Sequence, residues 1–396
     1  MVMPLSATLP AGRASEGSAE PLMGLDLLRF AAAGLVMAFH LACTAWLVPS
    51  SEAAELLGRP MAYPWLLPVS AIGWIGVPIF FVISGTVIAY SASRAGASAF
   101  LLNRFLRLMP GIWICATVTF MLALAFAPDA PMVLIERYLR TLVLFPVSRW
   151  IDGVYWTLGI EVAFYGLVAA LLMLGRREQI ERVILAVGLV SAAAWCLAAS
   201  PLWPGLDRLI STRIAKLTLI THGCDFAIGV LMWCGMRQGW TVPRIVGLTA
   251  CLLGALLQIR YDAFTVATLL GVSPSVGAAT AIFLGSLILC QVSGAVNAPL
   301  IARFPGLAPR LRRLGLATYP LYLLHTVVGV LTMRLMAGLG LSAPVCLAAG
   351  VAAAILIALL VAEHVEPPLR RRMRLALASA QEGAAQMVAL RRRRSA

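Results

Sequence analysis

Apolar runs of about twenty residues recur along the whole chain, separated by short polar stretches, and this spacing predicts helices that cross a bilayer. The runs lie near 22 to 48, 66 to 91, 105 to 127, 153 to 174, 183 to 199, 216 to 236, 244 to 260, 265 to 292, 314 to 337 and 341 to 363. Ten such segments predict an all-α, polytopic integral membrane protein with both termini on one side. No fixed-period repeat interrupts the pattern, and no stretch of about 100 residues between helices is free to form a soluble domain. The expected organisation is a disordered cytoplasmic leader over 1–20, a membrane domain over 21–372 and a basic tail over 373–396.

Composition agrees with the pattern. Hydrophobic residues make up 61% of the chain and charged ones 12%, about half the charge a soluble globule of 396 residues carries. Charge then sets the expected orientation. With the termini inside, 21 of the 31 Lys and Arg fall in cytoplasmic segments, nine fall outside, and Arg29 lies within the first helix. The net charge of +14 is therefore mainly a topology signal whose natural partner is anionic lipid, and nucleic acid is not implied. The eight cysteines are scattered singly inside apolar segments, with no CxxC or Cys/His spacing, so neither a disulfide framework nor a metal site is expected.

Polar groups inside apolar segments carry the candidate chemistry. Arg29 and His40 are 11 residues apart on the first helix, three turns plus about 20°, so they share a face at about 16 Å separation. Either they form an interhelical hydrogen-bond pair, or they mark a reaction path from a cation near one surface to a base near the other. Ser84-Gly85 marks a tight contact in the second helix, read as helix packing or as close passage of a ligand along the backbone. Arg104 and Arg107 stand at i and i+3, suited to bidentate phosphate recognition, with interfacial snorkelling as the alternative. Together with Arg29 they can converge on a polyanion entering from the cytoplasm. Glu161 is expected about 12 Å below the outer surface, within reach of His40, where a carboxylate orients an imidazole; the alternative is a structural bond to Tyr or Trp. His325 and the pair His222 and Asp225 read first as satisfied packing groups. Glu363, His364 and Glu366 are expected to neutralise nearby arginines, and Pro367-Pro368 to stop the last helix.

Five of these segments, in order, resemble the acyltransferase 3 family of bacterial integral-membrane acyltransferases. They are LDLLRFAAAGLVMAFH, GVPIFFVISGTVI, RFLR, VYWTLGIEVAFY and LATYPLYLLH, and the similarity around them covers about residues 24 to 372. The sequence departs from many relatives at Pro78 and at Gly159-Ile160-Glu161-Val162, which bears on acceptor specificity. The resemblance implies transfer of an acyl group, most often acetyl, from cytoplasmic acyl-CoA to a hydroxyl of a carbohydrate or lipid-linked glycan, in the bacterial inner membrane and without a metal. It implies His40 as general base and Glu161 as its partner, and Arg29, Arg104, Arg107, Ser84 and Gly85 on the donor, with Tyr155, Trp156 and His325 nearby. The competing classes are a transporter or flippase for a lipid-linked or anionic solute, with Arg29, Glu161 and His325 as its path, and a non-catalytic membrane sensor.

Overall fold

The computed structural model describes residues 23–147 and 149–379, so the leader and the last part of the basic tail lie outside the described residues. The elements used below are α1 (Met23–Phe39), α2 (Glu52–Leu57), α3 (Gly76–Arg94), α4 (Ala97–Phe126), α5 (Pro131–Leu142), α6 (Trp156–Met173), α7 (Ile180–Ala198), α8 (Arg213–Leu217), α9 (Gly223–Gln238), α10 (Val242–Leu270), α11 (Val276–Arg303), α12 (Leu307–Gly338) and α13 (Ala343–Leu360). No strand occurs among the described residues, and nine helices are long and apolar enough to cross a membrane. The chain is an all-α integral membrane protein.

Two expected crossings differ: 265 to 292 is broken by the turn after Leu270, so that its helix is α11 from Val276, and the other is 216 to 236. Its helix α9 starts only at Gly223 and is 16 residues long, because a turn with Leu219 at φ +63° separates it from the short α8. It still runs from end to end of the bundle. Thr221, just ahead of it, takes a 2.9 Å hydrogen bond from Trp195 near the end of α7, and its last residue Gln238 meets Arg244, which pairs with Glu181 at the start of α7. Residues Gly223 to Met232 are all buried, so α9 is wrapped by α3, α7 and α10 and needs less length than a lipid-facing span. Gly85 and Gly229 set the closeness of α3 and α9: a Cβ on either would overlap a backbone carbonyl, Phe226 O or Val82 O, on the other helix.

Two helices change pitch. At the end of α1, residues His40–Thr44 form a π turn, and α13 passes through another at Val361–Val365. Pro367-Pro368 does not stop that helix, which continues to Ser379. Directly after the wider turn the prolines sit where a helix start would, and a missing N–H there costs little. The extension carries Glu366 and Arg370 against α4, where Arg370 Nε donates to Leu106 O at 3.0 Å.

Candidate active site

One end of the bundle concentrates arginine. Asp26 and Arg29 face one another across one turn of α1 at 3.5 Å, and Arg312 from the start of α12 reaches the same carboxylate at 3.6 Å. Arg107 lies 3.8 Å from Glu366, which also pairs with Arg370 one turn further on, and its guanidinium sits 5.3 Å above the Tyr319 ring. Gly111 leaves the space Tyr319 fills. Arg104 donates to Ser91 Oγ at 3.2 Å and stacks at 5.9 Å on both Phe100 and Tyr165. Beside it opens a cavity of about 290 Å³ lined by Tyr90, Ser91, Arg94, Ala95, Phe100, Asn103 and Arg104. Five guanidiniums thus gather around three carboxylates, Asp26, Glu161 and Glu366, leaving an excess of positive charge suited to a polyanion.

His40 lies further along α1, at the π turn, a departure from α geometry that often accompanies a functional side chain. Its ring meets the edge of His325 at a centroid distance of 5.2 Å. His325 Nδ1 is 3.1 Å from Leu321 O and 2.9 Å from Tyr322 O; carbonyls only accept, so Nδ1 carries the proton. Its Nε2 is therefore a lone pair, buried and without a partner among the described residues, turned to accept an N–H. Tyr322, whose ring is 6.1 Å from His325, bonds Thr157 at the start of α6 over 3.0 Å.

Glu161 does not stand against His40. It lies beside the bonded pair Ser84 and Tyr165, within electrostatic reach of Arg104 and Arg107. The reason lies in α6, which begins at Trp156 and places Thr157, Glu161 and Tyr165 in one stripe at i, i+4 and i+8. Thr157 is level with Tyr322, so Glu161 is about 6 Å further toward the arginine end. Ser84 belongs to the same polar group, whereas its neighbour Gly85 faces α9 and packs there.

At the other end the chain closes over α6. Glu52 Oε2 accepts Gly153 N–H at 2.7 Å, Asp152 Oδ1 accepts Val154 N–H at 3.0 Å, and Thr141 of the surface helix α5 accepts Ile151 N–H at 2.9 Å. Tyr155 is fully buried below Asp152, and its hydroxyl has no hydrogen-bond partner among the described residues. Trp156 is covered by Lys216 Nζ at 4.6 Å and sits 5.9 Å from the His222 ring. His222 bonds Asp225 at 3.3 Å, as their spacing predicts, and Gln258 joins them at 2.9 Å.

Burial and the adjoining Glu52 push the Asp152 carboxyl up to about 8. The unfolded group ionises near 4, so between about pH 4 and 8 the folded chain holds a proton the unfolded chain has lost. Stability contributed by this group falls as pH rises across that window. Asp152→Asn keeps the oxygen that caps Val154 and removes the titration. Its melting temperature in detergent should equal the wild-type value near pH 4 and exceed it at pH 8; an undiminished decline with pH in the variant would assign the effect elsewhere.

A family model for an acyltransferase domain, acyltransferase 3, matches residues 23–363, a stretch that includes every one of the candidate residues His40, Arg29, Arg104, Arg107, Glu161 and His325. The chain belongs to this acyltransferase family. Among curated proteins this acyltransferase is 27% identical over 319 residues to the exopolysaccharide production protein ExoZ of Rhizobium meliloti (strain 1021), covering 76% of this chain and 91% of that protein. It is also 27% identical over 296 residues to the acyltransferase MdmB of Streptomyces mycarofaciens, covering 69% and 72% respectively. No solved structure matches it.

The acyltransferase brings Arg29 and Arg107 to one level, and on another it pairs His40 with His325, which its sequence offered separately. Asp26, Tyr165, Arg312, Tyr319 and Arg370 join them unannounced, while Glu366 neutralises arginines as expected, holding Arg107 and Arg370. Two of these had a local signal, since Asp26 precedes Arg29 by three residues and Glu366 precedes Arg370 by four, the spacing of helical ion pairs. Arg312 had none, because only the packing of α12 on α1 brings it to Asp26.

Proposed function

We propose that this acyltransferase takes its acyl group, acetyl in the simplest case, from acyl-CoA entering at the arginine-rich end, and passes it to a saccharide hydroxyl arriving from the opposite end. The arginine-rich end is cytoplasmic in this reading and the membrane is a bacterial inner membrane. The observation that carries it is the His40–His325 pair, held one level beyond a band of guanidiniums. The adenosine 3′-phosphate part of the donor occupies the cavity between Tyr90 and Arg104, and its diphosphate reaches Arg107 and Arg29. The pantetheine arm then runs along α1, over the roughly 16 Å of helix rise that separates Arg29 from His40.

With both substrates bound, His40 turns one ring N–H onto the free lone pair of His325 Nε2, which leaves its other nitrogen as the base. That nitrogen removes the acceptor hydroxyl proton as the oxygen attacks the thioester carbonyl. The C–S bond breaks, and the departing thiolate takes the proton back from the imidazolium. His325 is the positioning residue for this step. Glu161, with Ser84 and Tyr165, lines the passage between the two levels and balances the charge of Arg104. The name of the Rhizobium relative supports a polysaccharide acceptor; that of the Streptomyces relative states the reaction class alone.

Purified protein in liposomes, given radiolabelled acetyl-CoA on one side, should transfer label only when the donor faces the arginine-rich end. The ester that disappears from surface polysaccharide in a deletion strain identifies the acceptor. Orientation has its own check: a reporter fused after Arg177 or Arg313 should read cytoplasm, and one near Asp207 the far side. A far-side signal at Arg313 reverses the donor side.

A further inference from the structure

Two carboxylates at the arginine-rich end take no part in the steps above. Asp26 is 2% exposed and Glu366 3%, and Asp26 Oδ2 has no hydrogen-bond partner among the described residues. A buried carboxylate is costly unless cations surround it. Each of these bridges one arginine that the donor uses to one that it does not: Asp26 joins Arg29 to Arg312, and Glu366 joins Arg107 to Arg370.

The quality of the pairing sets these carboxylates apart. At the same end of the bundle, Glu363 holds Arg313 through two bonds of 2.5 and 2.9 Å, and Glu181 holds Arg244 through two of 2.6 and 2.8 Å. Those are closed, two-pronged pairs of the strongest kind. Asp26, by contrast, stands 3.5 and 3.6 Å from its two arginines, and Glu366 stands 3.8 Å from Arg107. At such separations the attraction gathers Arg29, Arg312 and Arg107 without committing their N–H groups, whereas Arg370 is bonded closely to Glu366. A phosphate, with more charge and more acceptor oxygens than a carboxylate, can take those N–H groups over. Arg370 is the fixed member, tied to both Glu366 and Leu106 O beside the Arg104–Arg107 turn.

We propose that Asp26 and Glu366 are internal counter-ions displaced by the diphosphate of the donor, and that Arg312 and Arg370 complete the site which receives it. This rests on the acyl-CoA reading above. The carboxylates hold four like charges together and tax any compound that brings no diphosphate. A bare pantetheine thioester gains too little to displace them, so the site selects whole CoA over fragments of it.

Titration of full-length protein in detergent with CoA tests the arrangement. Arg312→Gln and Arg370→Gln should each weaken CoA binding about tenfold, the loss of one charge-assisted phosphate contact. Asp26→Asn and Glu366→Gln should tighten it severalfold and raise the affinity for pantetheine relative to CoA. Arg313→Gln, in the closed pair next door, should change nothing. The Arg312 side chain is 46% exposed, so its variant reports binding even where Asp26→Asn folds poorly. Weaker CoA binding in folded Asp26→Asn or Glu366→Gln overturns the displacement idea, since the carboxylates would then position the arginines. Unchanged affinity in both Arg312→Gln and Arg370→Gln removes those residues from the site while the donor reading stands. Failure of wild-type protein to bind CoA removes the donor reading and this inference together.

Discussion

His40→Ala is expected to abolish acyl transfer while the protein still inserts, accumulates and binds CoA. Loss of a general base typically costs about 10² to 10⁴-fold in rate. Nothing in the arginine band touches the imidazole, so donor affinity should stay near the wild-type value. His325→Ala should lower the rate less and leave donor affinity unchanged, because it removes the acceptor that fixes the His40 tautomer and leaves the base in place. The comparison to make is single-turnover transfer from labelled acetyl-CoA beside CoA binding by the same preparations. Normal transfer by well-folded His40→Ala would discard this base altogether.

Arg104→Ala and Arg107→Ala separate binding from chemistry. Each should weaken CoA by about ten- to a hundredfold, from roughly 1.5 to 3 kcal/mol per charge-assisted phosphate contact, with little change in rate at saturating donor. Arg29→Lys should also bind poorly, since lysine keeps the charge and loses the planar fork that spans two oxygens. Titration in detergent decides it. Unchanged affinity in all three would make these arginines anchors at the lipid interface, and the donor would have to enter elsewhere.

Both expectations start from residues legible in the sequence, yet their partners were not. The helical repeat alone put Arg29 and His40 on one face, and α1 is a regular helix from Arg29 to Phe39, with His40 opening the π turn. Glu161 shows where such reasoning stops. A helix entry near Asp152 gives its depth, but which neighbour it meets depends on the rotation of α6 about its own axis, set by Thr157 on Tyr322 and by Ser84 on Tyr165. Pro367-Pro368 shows a second limit. Prolines normally close a helix, and the preceding π turn, which no propensity signals, lets this one continue and carry Glu366 to Arg107.

What the sequence determined by itself is what local composition fixes: an all-α chain within the membrane, most of its spans, the arginine-rich end, and the family through five short motifs in order. Apolar length and helical periodicity are properties of consecutive residues, so they survive without knowledge of any partner. The tertiary structure decided the pairings: His40 with His325, Glu161 with Ser84 and Tyr165, and Asp26 and Glu366 among four arginines. These joins cross as many as 286 residues of chain, from Asp26 to Arg312, and follow from how helices rotate and pack, which side-chain volume and glycine contacts such as Gly85 on Phe226 control.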